Sequence, residues 1–290
     1  MKIQKSFEAK GGVLYIVGTP IGNLQDMTPR ALEILTDVDV IAAEDTRHTR
    51  KLLTHFQIST PLISYHEHNE QSRGKQLIER IKQGESIALV SDAGMPAISD
   101  PGEEIVRLAT QEEIPIVPIP GPNAALSALV ASGIVAQPFL FLGFLPRSSK
   151  ERKAELRRWQ YTPATMIVYE APHRLQKMLE DVQGVLGNRK VALAREITKK
   201  HEEWFRGTID EAIEHVIEKG TRGEYTIVIE GGSDQDQTSL VEQAWWQSLD
   251  LVEHVDTYIE KGLDKKEAIL QAAKDRSLPK REVYNHYHQA

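Results

Sequence analysis

The sequence contains no cysteine, and it has no apolar run approaching the roughly 20 residues that a membrane-spanning helix needs. The missing cysteine excludes disulfides, thiolate zinc sites and cysteine nucleophiles. The opening stretch, MKIQKSFEAKGG, lacks the apolar centre of a secretory signal peptide. We therefore expect a cytoplasmic protein with no membrane partner.

A broad excess of basic residues is also missing. The net charge of −7 argues against a protein whose whole surface coats nucleic acid, since that needs Lys and Arg in excess. Two local basic clusters remain, and each is either a phosphate-binding patch or a solvated helix face. They comprise Arg47, His48, Arg50, Lys51 and His55 in one segment, and Arg147, Lys150, Arg152, Lys153, Arg157 and Arg158 in another.

The length of 290 residues and the 40% hydrophobic content are those of a globular chain with two domains. From Val13 to Ala131, short β-branched runs alternate with amphipathic stretches, which predicts a mostly parallel sheet with crossover helices. Candidate strands of this block span 13–18, 40–44, 61–65, 86–91 and 114–120. Thr28 and Asp100, each followed by proline, are predicted to cap the helices that follow them.

A second α/β block, from Pro138 to Gly231, mixes hairpin-like and helical connections, so we expect a mixed sheet. The polar segment 231–239 has the composition of a linker. A small helical tail follows, and its break near Ser277 resembles a helix-turn-helix, which serves either nucleic-acid binding or plain packing. The predicted organisation is an N-terminal α/β domain at 12–122, a C-terminal α/β domain at 123–231 and the tail at 240–290.

Three loops follow predicted strands. The first, in YIVGTPIGNLQDMT, spaces Gly18 and Gly22 unlike a dinucleotide fingerprint and lacks the Lys-Ser/Thr of a P-loop. The second, SDAGMPAISDPG, is long and rich in small residues, and there Asp92 is expected to accept hydrogen bonds from a ligand. The third, PGPNAALSALVASG, starts a helix of small side chains that suits either ligand approach or helix packing.

A metal site has little support in the sequence. His66 and His68 form an HxH pair beside Glu67, which is too short a signal for a metal centre. No HExxH, calcium-loop or Gly-x-Ser-x-Gly motif occurs in the chain. We therefore predict no metal.

Several motifs in this order resemble the tetrapyrrole-methylase superfamily and, within it, the bacterial branch that acts on ribosomal RNA. They are VGTPIGNLQDMT, EDTRHTRKLL, SDAGMPAISDPG, PGPNAALSALVASG, FLGFLPR, YEAPHR and AREITKKHEE. The resemblance covers residues 12–231 and continues into the tail. It implies a two-domain α/β methyltransferase that uses S-adenosylmethionine to methylate the 2′-oxygen of a cytidine in the decoding region of small-subunit ribosomal RNA.

The resemblance also implies a cofactor cleft between the domains and a homodimer. Its expected cofactor-binding residues are Gly18, Pro20, Asp92, Ala97, Ile98, Asn123, Ala124, Tyr169, Ala171, Ala194, Glu196 and Thr226. The partner would be ribosomal RNA or the small ribosomal subunit. Two alternatives are methylation of a tetrapyrrole and a non-catalytic ribosome-binding module.

Methyl transfer to a ribose hydroxyl gains from a proton acceptor, because the hydroxyl is a poor nucleophile at neutral pH. Glu44 and Asp45, after the second predicted strand, are candidates for that role, with Arg47 placed for a phosphate. A helix cap with a salt bridge is the alternative for this motif. We predict that Arg147, Lys150, Arg152 and Lys153 contact RNA phosphates at the mouth of the cleft.

Overall fold

The computed structural model describes residues 3–5, 11–232, 246, 249–276 and 278–289. The chain forms two compact units, Met1–Gly231 and Gly232–Ala290. Residues 233–239 of the predicted linker lie outside the described residues. Within the first unit, two five-stranded sheets each carry helices on both faces.

The first sheet is entirely parallel, with the strand order β3-β2-β4-β1-β5. Its strands are β1 (Leu14–Val17), β2 (Val40–Ala43), β3 (Leu62–Ser64), β4 (Ile87–Val90) and β5 (Ile116–Ile119). The helices that connect them are α1 (Pro29–Asp37), α2 (Thr46–His55), α3 (Glu70–Lys82) and α4 (Glu103–Gln111). One apolar cluster packs α1 and α2 on one face of the sheet, and another packs α3 and α4 on the opposite face. Burial on both faces explains why these strands are almost continuous apolar runs.

The second sheet is mixed, with the strand order β6-β7-β10-β8-β9. Its strands are β6 (Phe139–Phe144), β7 (Thr165–Glu170), β8 (Lys190–Arg195), β9 (Glu203–Thr208) and β10 (Tyr225–Ile229). Its helices are α5 (Ala124–Ala131), α6 (Ser149–Trp159), α7 (Pro172–Leu186) and α8 (Ile209–Lys219). Helix α5 covers one face, and α6, α7 and α8 cover the other.

Strand direction brings particular residues of the second sheet to one edge. β10 runs antiparallel to both β7 and β8, so that Tyr225 at its start pairs with Glu170 and Arg195 at their ends. β6 runs parallel to β7 and ends at the same edge, with Phe144 opposite Tyr169. The ends of β6, β7 and β8 and the start of β10 are far apart in the sequence, and they therefore lie together at one edge of the sheet.

The second unit contains three helices among its described residues: α9 (Leu251–Glu260), α10 (Lys265–Asp275) and α11 (Lys280–Gln289). They share a small core that includes Val255, Ile269 and Val283. His254 is fully buried, and Arg276 Nε donates to its Nδ1 at 3.1 Å. The break between α10 and α11 falls where the sequence predicts it.

The predicted fold class is confirmed, with a parallel first sheet, a mixed second sheet and a helical tail. The capping prediction holds for Thr28, whose side chain accepts from Ala31 N at 3.2 Å. It is wrong for Asp100, because α4 begins at Glu103 with Gly102 as its N-cap. Gly102 has a φ of 146°, which favours glycine, and its N–H donates to Glu70 Oε1 at 3.0 Å. The chain therefore turns once more after Asp100 before the helix starts.

Candidate functional site

A cavity of about 530 Å³ lies within the first unit, between the loops of the first sheet and the edge of the second sheet. The first sheet contributes the loop after β4, with Gly94, Met95 and Asp100 on the cavity wall. The second sheet contributes Tyr169 and Thr226. The carboxyl ends of parallel strands are where open α/β sheets bind ligands, so this is the expected place for a site.

The loop after β4 has an unusual backbone. Positive φ angles occur at Gly94 (81°), Ala97 (65°) and Ser99 (63°). Ala97 N donates to Pro101 O at 3.2 Å, which closes the loop on itself. Left-handed conformations at non-glycine residues cost on the order of 1 kcal/mol each and persist where the surrounding structure requires them. The loop after β4 therefore has a fixed backbone conformation where it lines the cavity.

The loops after β1 and β5 approach each other closely. A Cβ atom on Gly18 would lie 2.7 Å from the Cα of Gly121 and 2.7 Å from Met95 Sδ. Only glycine therefore fits where the two loops cross. Gly18 of the first motif and Gly121 of the third thus allow the close packing of the two loops.

Helix α5 begins at the cavity. Asn123 is its N-cap, and its side chain accepts from Leu126 N at 2.9 Å. Ala125 N donates to the hydroxyl of Tyr169 at 3.2 Å, which links the helix start to the wall formed by the second sheet. Ala124 is the first residue of the helix and lines the cavity. Backbone N–H groups at a helix start lie outside the helix's own hydrogen-bond ladder and suit an anionic or hydrogen-bond-accepting group.

Carboxylates on and beside its wall give the cavity an acidic character, since Lys199 on the wall is paired with Glu196 and Glu224. Burial, with a contribution from the negative charge of Glu44, raises the pKa of Asp100 to about 7. Burial also raises the pKa of Glu44, and Asp92 N donates to Glu44 Oε2 at 3.4 Å. Such a group of carboxylates favours a cationic ligand, because a positive charge offsets their mutual repulsion.

The three residues predicted for catalysis lie beside the cavity, and none of them forms part of its wall. Asp45 caps α2, and its carboxylate accepts from Arg47 Nε at 3.2 Å and from Arg47 Nη2 at 3.0 Å. These hydrogen bonds lower the pKa of Asp45 to about 2, so it has little proton affinity at neutral pH. Of the two carboxylates, Glu44 is the better proton acceptor.

The four residues predicted to contact RNA do not share one environment. Arg147 and Lys150 are exposed, and they lie at the end of β6 and the start of α6. Arg152 is only 3% exposed, and its Nε donates to Asp181 Oδ2 at 2.8 Å. Lys153 Nζ lies 3.1 Å from Asp181 Oδ1. The prediction is therefore wrong for Arg152, because its guanidinium is buried in an ion pair and cannot reach a phosphate.

The sequence-predicted cofactor residues divide into two groups. Those on the cavity wall are Ile98, Asn123, Ala124, Tyr169, Ala171, Ala194, Glu196 and Thr226. Those that lie off the wall are Gly18, Pro20, Asp92 and Ala97. Asp92 is turned toward α2, where its Oδ1 accepts from Asp45 N at 3.1 Å. The structure thus gives Gly18 and Asp92 roles in the shape of the walls.

Further residues of the wall were not predicted. They are Ile21, Ala93, Gly94, Met95, Ser99, Asp100, Phe144, Pro172, His173, Ile197, Lys199 and Glu224. Most are sequence neighbours of predicted residues within the same motifs, so extending each set of predicted residues by one or two positions would have found them. Two of them had a sequence signal of their own. Phe144 is the aromatic last residue of an apolar strand, and Asp100 is an acidic residue near the end of a loop of mostly small residues.

Comparison with known proteins establishes the family. Residues 13–213 match the family of tetrapyrrole (corrin/porphyrin) methylases, and the chain belongs to this family. It is 53% identical over 290 residues to the ribosomal RNA small subunit methyltransferase I of Bacillus subtilis (strain 168), and the matched region covers 99% of each chain. It is 52% identical over 291 residues to the protein of that name from Halalkalibacterium halodurans, which covers both chains completely.

Solved structures share the fold at low sequence identity. Uroporphyrin-III C-methyltransferase from Thermus thermophilus, complexed with S-adenosylhomocysteine, is 18% identical with a TM-score of 0.54 over 75% of this chain and 97% of that one. A diphthine synthase is 14% identical with a TM-score of 0.57 over 76% of this chain and 90% of that one. These neighbours therefore support the architecture alone.

Among the described residues, no helix combines the length and the apolar character that crossing a membrane requires. In the same part of the chain, no group of three or more His, Asp or Glu side chains is arranged to hold a metal ion. His66 Nε2 lies 3.2 Å from Asn69 Nδ2, within the turn that precedes α3.

Proposed function

We propose that this protein is an S-adenosylmethionine-dependent methyltransferase that modifies small-subunit ribosomal RNA at the 2′-oxygen of a cytidine. The observation that carries the proposal is the acidic cavity between the two sheets in a chain that is 53% identical to a ribosomal RNA small subunit methyltransferase I. All of the motifs that resemble the ribosomal RNA branch, except EDTRHTRKLL, contribute residues to the wall of this cavity.

The cavity residues fit the proposed cosubstrate. The start of α5, at Asn123 and Ala124, offers backbone N–H groups for its polar atoms, and Tyr169, Ala194 and Thr226 line a wall that suits its adenine ring. Asp100 matches a ligand that carries positive charge. When bound, S-adenosylmethionine supplies an electrophilic methyl group on a sulfonium centre, so the protein's main task is to orient the acceptor oxygen.

Proton removal from the ribose hydroxyl is assigned to Glu44. Its burial keeps the carboxylate more basic than an exposed glutamate, and it lies beside the loop that carries Asp92. Arg47, with a side chain 88% exposed, is free to meet a phosphate in addition to Asp45. Arg147 and Lys150 are assigned to phosphates flanking the target nucleotide, because both are exposed next to the cavity strand β6.

We propose that the protein forms a homodimer through the apolar surface around α5. This helix has the sequence AALSALVA and buries Ala125, Ala128 and Leu129 against the second sheet. Its outer side is also apolar, since Leu126 is 48% and Val130 is 78% exposed. Large apolar side chains on the outer side of a helix are normally covered, so a second copy of the chain is the proposed cover. A cytoplasmic location belongs to the same proposal, since it is where ribosomal RNA is found.

Nucleoside mass spectrometry tests the substrate. Small-subunit ribosomal RNA from cells lacking the gene should lose one 2′-O-methylcytidine, and the wild-type gene should restore it. Unchanged 2′-O-methylcytidine would overturn the substrate, and accumulation of an undermethylated tetrapyrrole would point to that alternative.

Calorimetry tests the cosubstrate. The purified protein should bind S-adenosylmethionine in the presence of a chelator, and no binding by folded protein would overturn the methyltransferase proposal. Ala124→Phe should abolish binding by filling the start of the cavity, whereas Ala154→Phe, on the exposed side of α6, should leave it unchanged. Equal affinities in the two variants would show that the cosubstrate binds elsewhere.

A further inference from the structure

Phe144 is an aromatic side chain on the cavity wall with much of its surface in solvent. It is 57% exposed, and burying a large aromatic ring is normally favourable. Among the large apolar side chains of the described residues, only Phe144 and Ile98, which is 43% exposed, are both on this wall and well exposed. Exposed apolar side chains grouped at a cavity mark a binding surface.

The two residues come from different sheets that touch at this point. β6 changes its register against β7 between Phe141 and Gly143. Gly143 has a φ of 61°, and a Cβ atom there would lie 2.9 Å from Ser99 Oγ. Glycine thus allows the loop that carries Ile98 and Ser99 to contact the end of β6 directly before Phe144. The mouth of the cavity is therefore bordered by an aliphatic side chain from one sheet and an aromatic ring from the other.

The ring of Phe144 packs against Tyr169 in a T-shaped arrangement. Its centroid lies 5.7 Å from that of Tyr169, with the planes inclined at 64°. Tyr169 is itself fixed by Phe141, at 5.0 Å between centroids, and by the hydrogen bond between its hydroxyl and Ala125 N. A T-shaped contact covers at most one face of a ring, and Phe144 is 57% exposed, so a face of its ring is available to a ligand.

The chain that follows Phe144 is held by two arginines. Arg174 Nη2 donates to Leu145 O at 2.8 Å, and Arg152 Nη1 donates to Pro146 O and Arg147 O at 3.1 Å each. Arg152 is in turn fixed by its buried ion pair with Asp181. The segment after the ring is therefore preorganised, and it places the exposed Arg147 three residues from Phe144.

We propose that Phe144 is the stacking platform for a base of the RNA substrate, with Ile98 bordering the same base and Arg147 meeting an adjacent phosphate. This proposal rests on the proposed function, and it specifies how that site receives its acceptor. RNA is mostly recognised at unpaired nucleotides whose splayed bases stack on aromatic side chains, so an enzyme that must orient a ribose hydroxyl for methyl transfer gains from holding the attached base on an aromatic surface. The juxtaposition of an exposed ring with an exposed basic group matches a nucleotide, which combines an aromatic base with an anionic phosphate.

Steady-state methylation of small ribosomal subunits from cells lacking the gene provides the test. Phe144→Ala should lower kcat/KM for the subunits by about 5- to 150-fold, which is the range for loss of one base–aromatic stack. Phe144→Trp should stay within a few-fold of wild type, because it keeps an aromatic face. Phe144→Leu, which keeps apolar area without that face, should resemble Phe144→Ala. S-adenosylmethionine affinity should be unchanged in all three variants.

Phe139→Ala is the matched control. Phe139 is the first residue of the same strand, is 44% exposed and does not line the cavity, so this variant should have wild-type activity. Wild-type activity in Phe144→Ala, or equal activities of Phe144→Leu and Phe144→Trp, would overturn the proposal. A matching loss of S-adenosylmethionine affinity in Phe144→Ala would also overturn it, by assigning the ring to the cosubstrate. If the wild-type protein itself transfers no methyl group to the subunits, the proposed function fails.

Discussion

Arg152 Nε donates to Asp181 Oδ2 at 2.8 Å, and the two residues are only 3% and 5% exposed. Ser149 Oγ donates to the other carboxylate oxygen of Asp181 at 2.8 Å. Burial alone would raise the pKa of Asp181, but hydrogen bonds from Ser149, Lys153 and Arg152 outweigh it and lower that pKa. A residue that resembles part of a basic RNA-binding patch in the sequence is thus a structural link between α6 and α7.

Breaking this pair should destabilise the protein strongly. Asp181→Ala is expected to lower the free energy of unfolding by roughly 3–5 kcal/mol, because it leaves the Arg152 charge buried and uncompensated. The double variant Arg152→Met/Asp181→Leu should cost less than Asp181→Ala alone, since no buried charge remains. Urea denaturation measures both, and a double variant less stable than the single one would contradict this account.

Removing the exposed basic groups should affect RNA binding and leave stability unchanged. Arg147→Gln/Lys150→Gln should weaken binding to ribosomal RNA and reduce the log–log salt slope by about one unit per lost phosphate contact. Lys190→Gln/Lys219→Gln removes the same charge from exposed positions that do not line the cavity and should leave the slope unchanged. Equal slopes in the two double variants would identify the patch as a solvated helix face.

The raised pKa of Asp100 predicts proton release when S-adenosylmethionine binds. At about pH 7 roughly half of the Asp100 side chains are protonated, and a positive ligand favours the ionised form. Calorimetry in buffers of different ionisation enthalpy should therefore detect release of a fraction of a proton, with less release for S-adenosylhomocysteine, which lacks the sulfonium charge. Identical enthalpies in all buffers for both ligands would exclude this coupling.

The same pKa predicts how the free protein responds to pH. The pKa is raised above its unfolded value, so the stability contributed by Asp100 is complete below about pH 4 and is lost as the pH rises through about 7. Asp100→Asn should therefore raise the unfolding free energy at about pH 8, because asparagine carries no charge that burial disfavours. The gain should be on the order of 1 kcal/mol, since water screens part of the burial cost of the carboxylate. The two proteins should differ less at about pH 5, as thermal melts in both buffers would show.

Glu44 and Asp45 are adjacent carboxylates, and we expect their removal to have different effects on kcat. Glu44→Gln should lower kcat by about 100-fold or more if Glu44 accepts the ribose proton, with little change in S-adenosylmethionine affinity. Asp45→Asn should retain most activity, because asparagine also caps a helix and the carboxylate has little proton affinity at neutral pH. A larger loss of kcat in Asp45→Asn than in Glu44→Gln would reverse the assignment.

Val130 is the more exposed of the two apolar side chains on the outer side of α5, where we propose the dimer surface. Val130→Glu should convert a dimer into a monomer, because a buried, unpaired charge opposes association. Light scattering at micromolar concentration measures the mass, and Ile217→Glu, at a position 61% exposed on α8, is the matched control that should remain dimeric. A monomeric wild-type protein would refute the dimer itself.

The sequence by itself determined the two α/β blocks, their strands and most of the loops around the cavity. Local patterns suffice for this, because the apolar runs of β1, β2 and β4 and the glycine- and proline-rich turns specify elements through short-range preferences. The motifs also identified residues such as Ala124 and Tyr169 that line the cavity. Asn123 and Thr28 function as N-caps through contacts within a few residues, which a sequence pattern captures.

Only the tertiary structure decided which polar groups face the cavity. It also decided which of them form hydrogen bonds or ion pairs with residues far away in the sequence. Arg152 and Asp181 are 29 residues apart, and Asp92 and Asp45 are 47 apart, so no local pattern predicts either contact. The exposure of Phe144 and the raised pKa of Asp100 likewise depend on where the edge of the second sheet meets the loops of the first. Burial and Coulomb interaction depend on distance in space, and that distance is fixed only when the two sheets pack together.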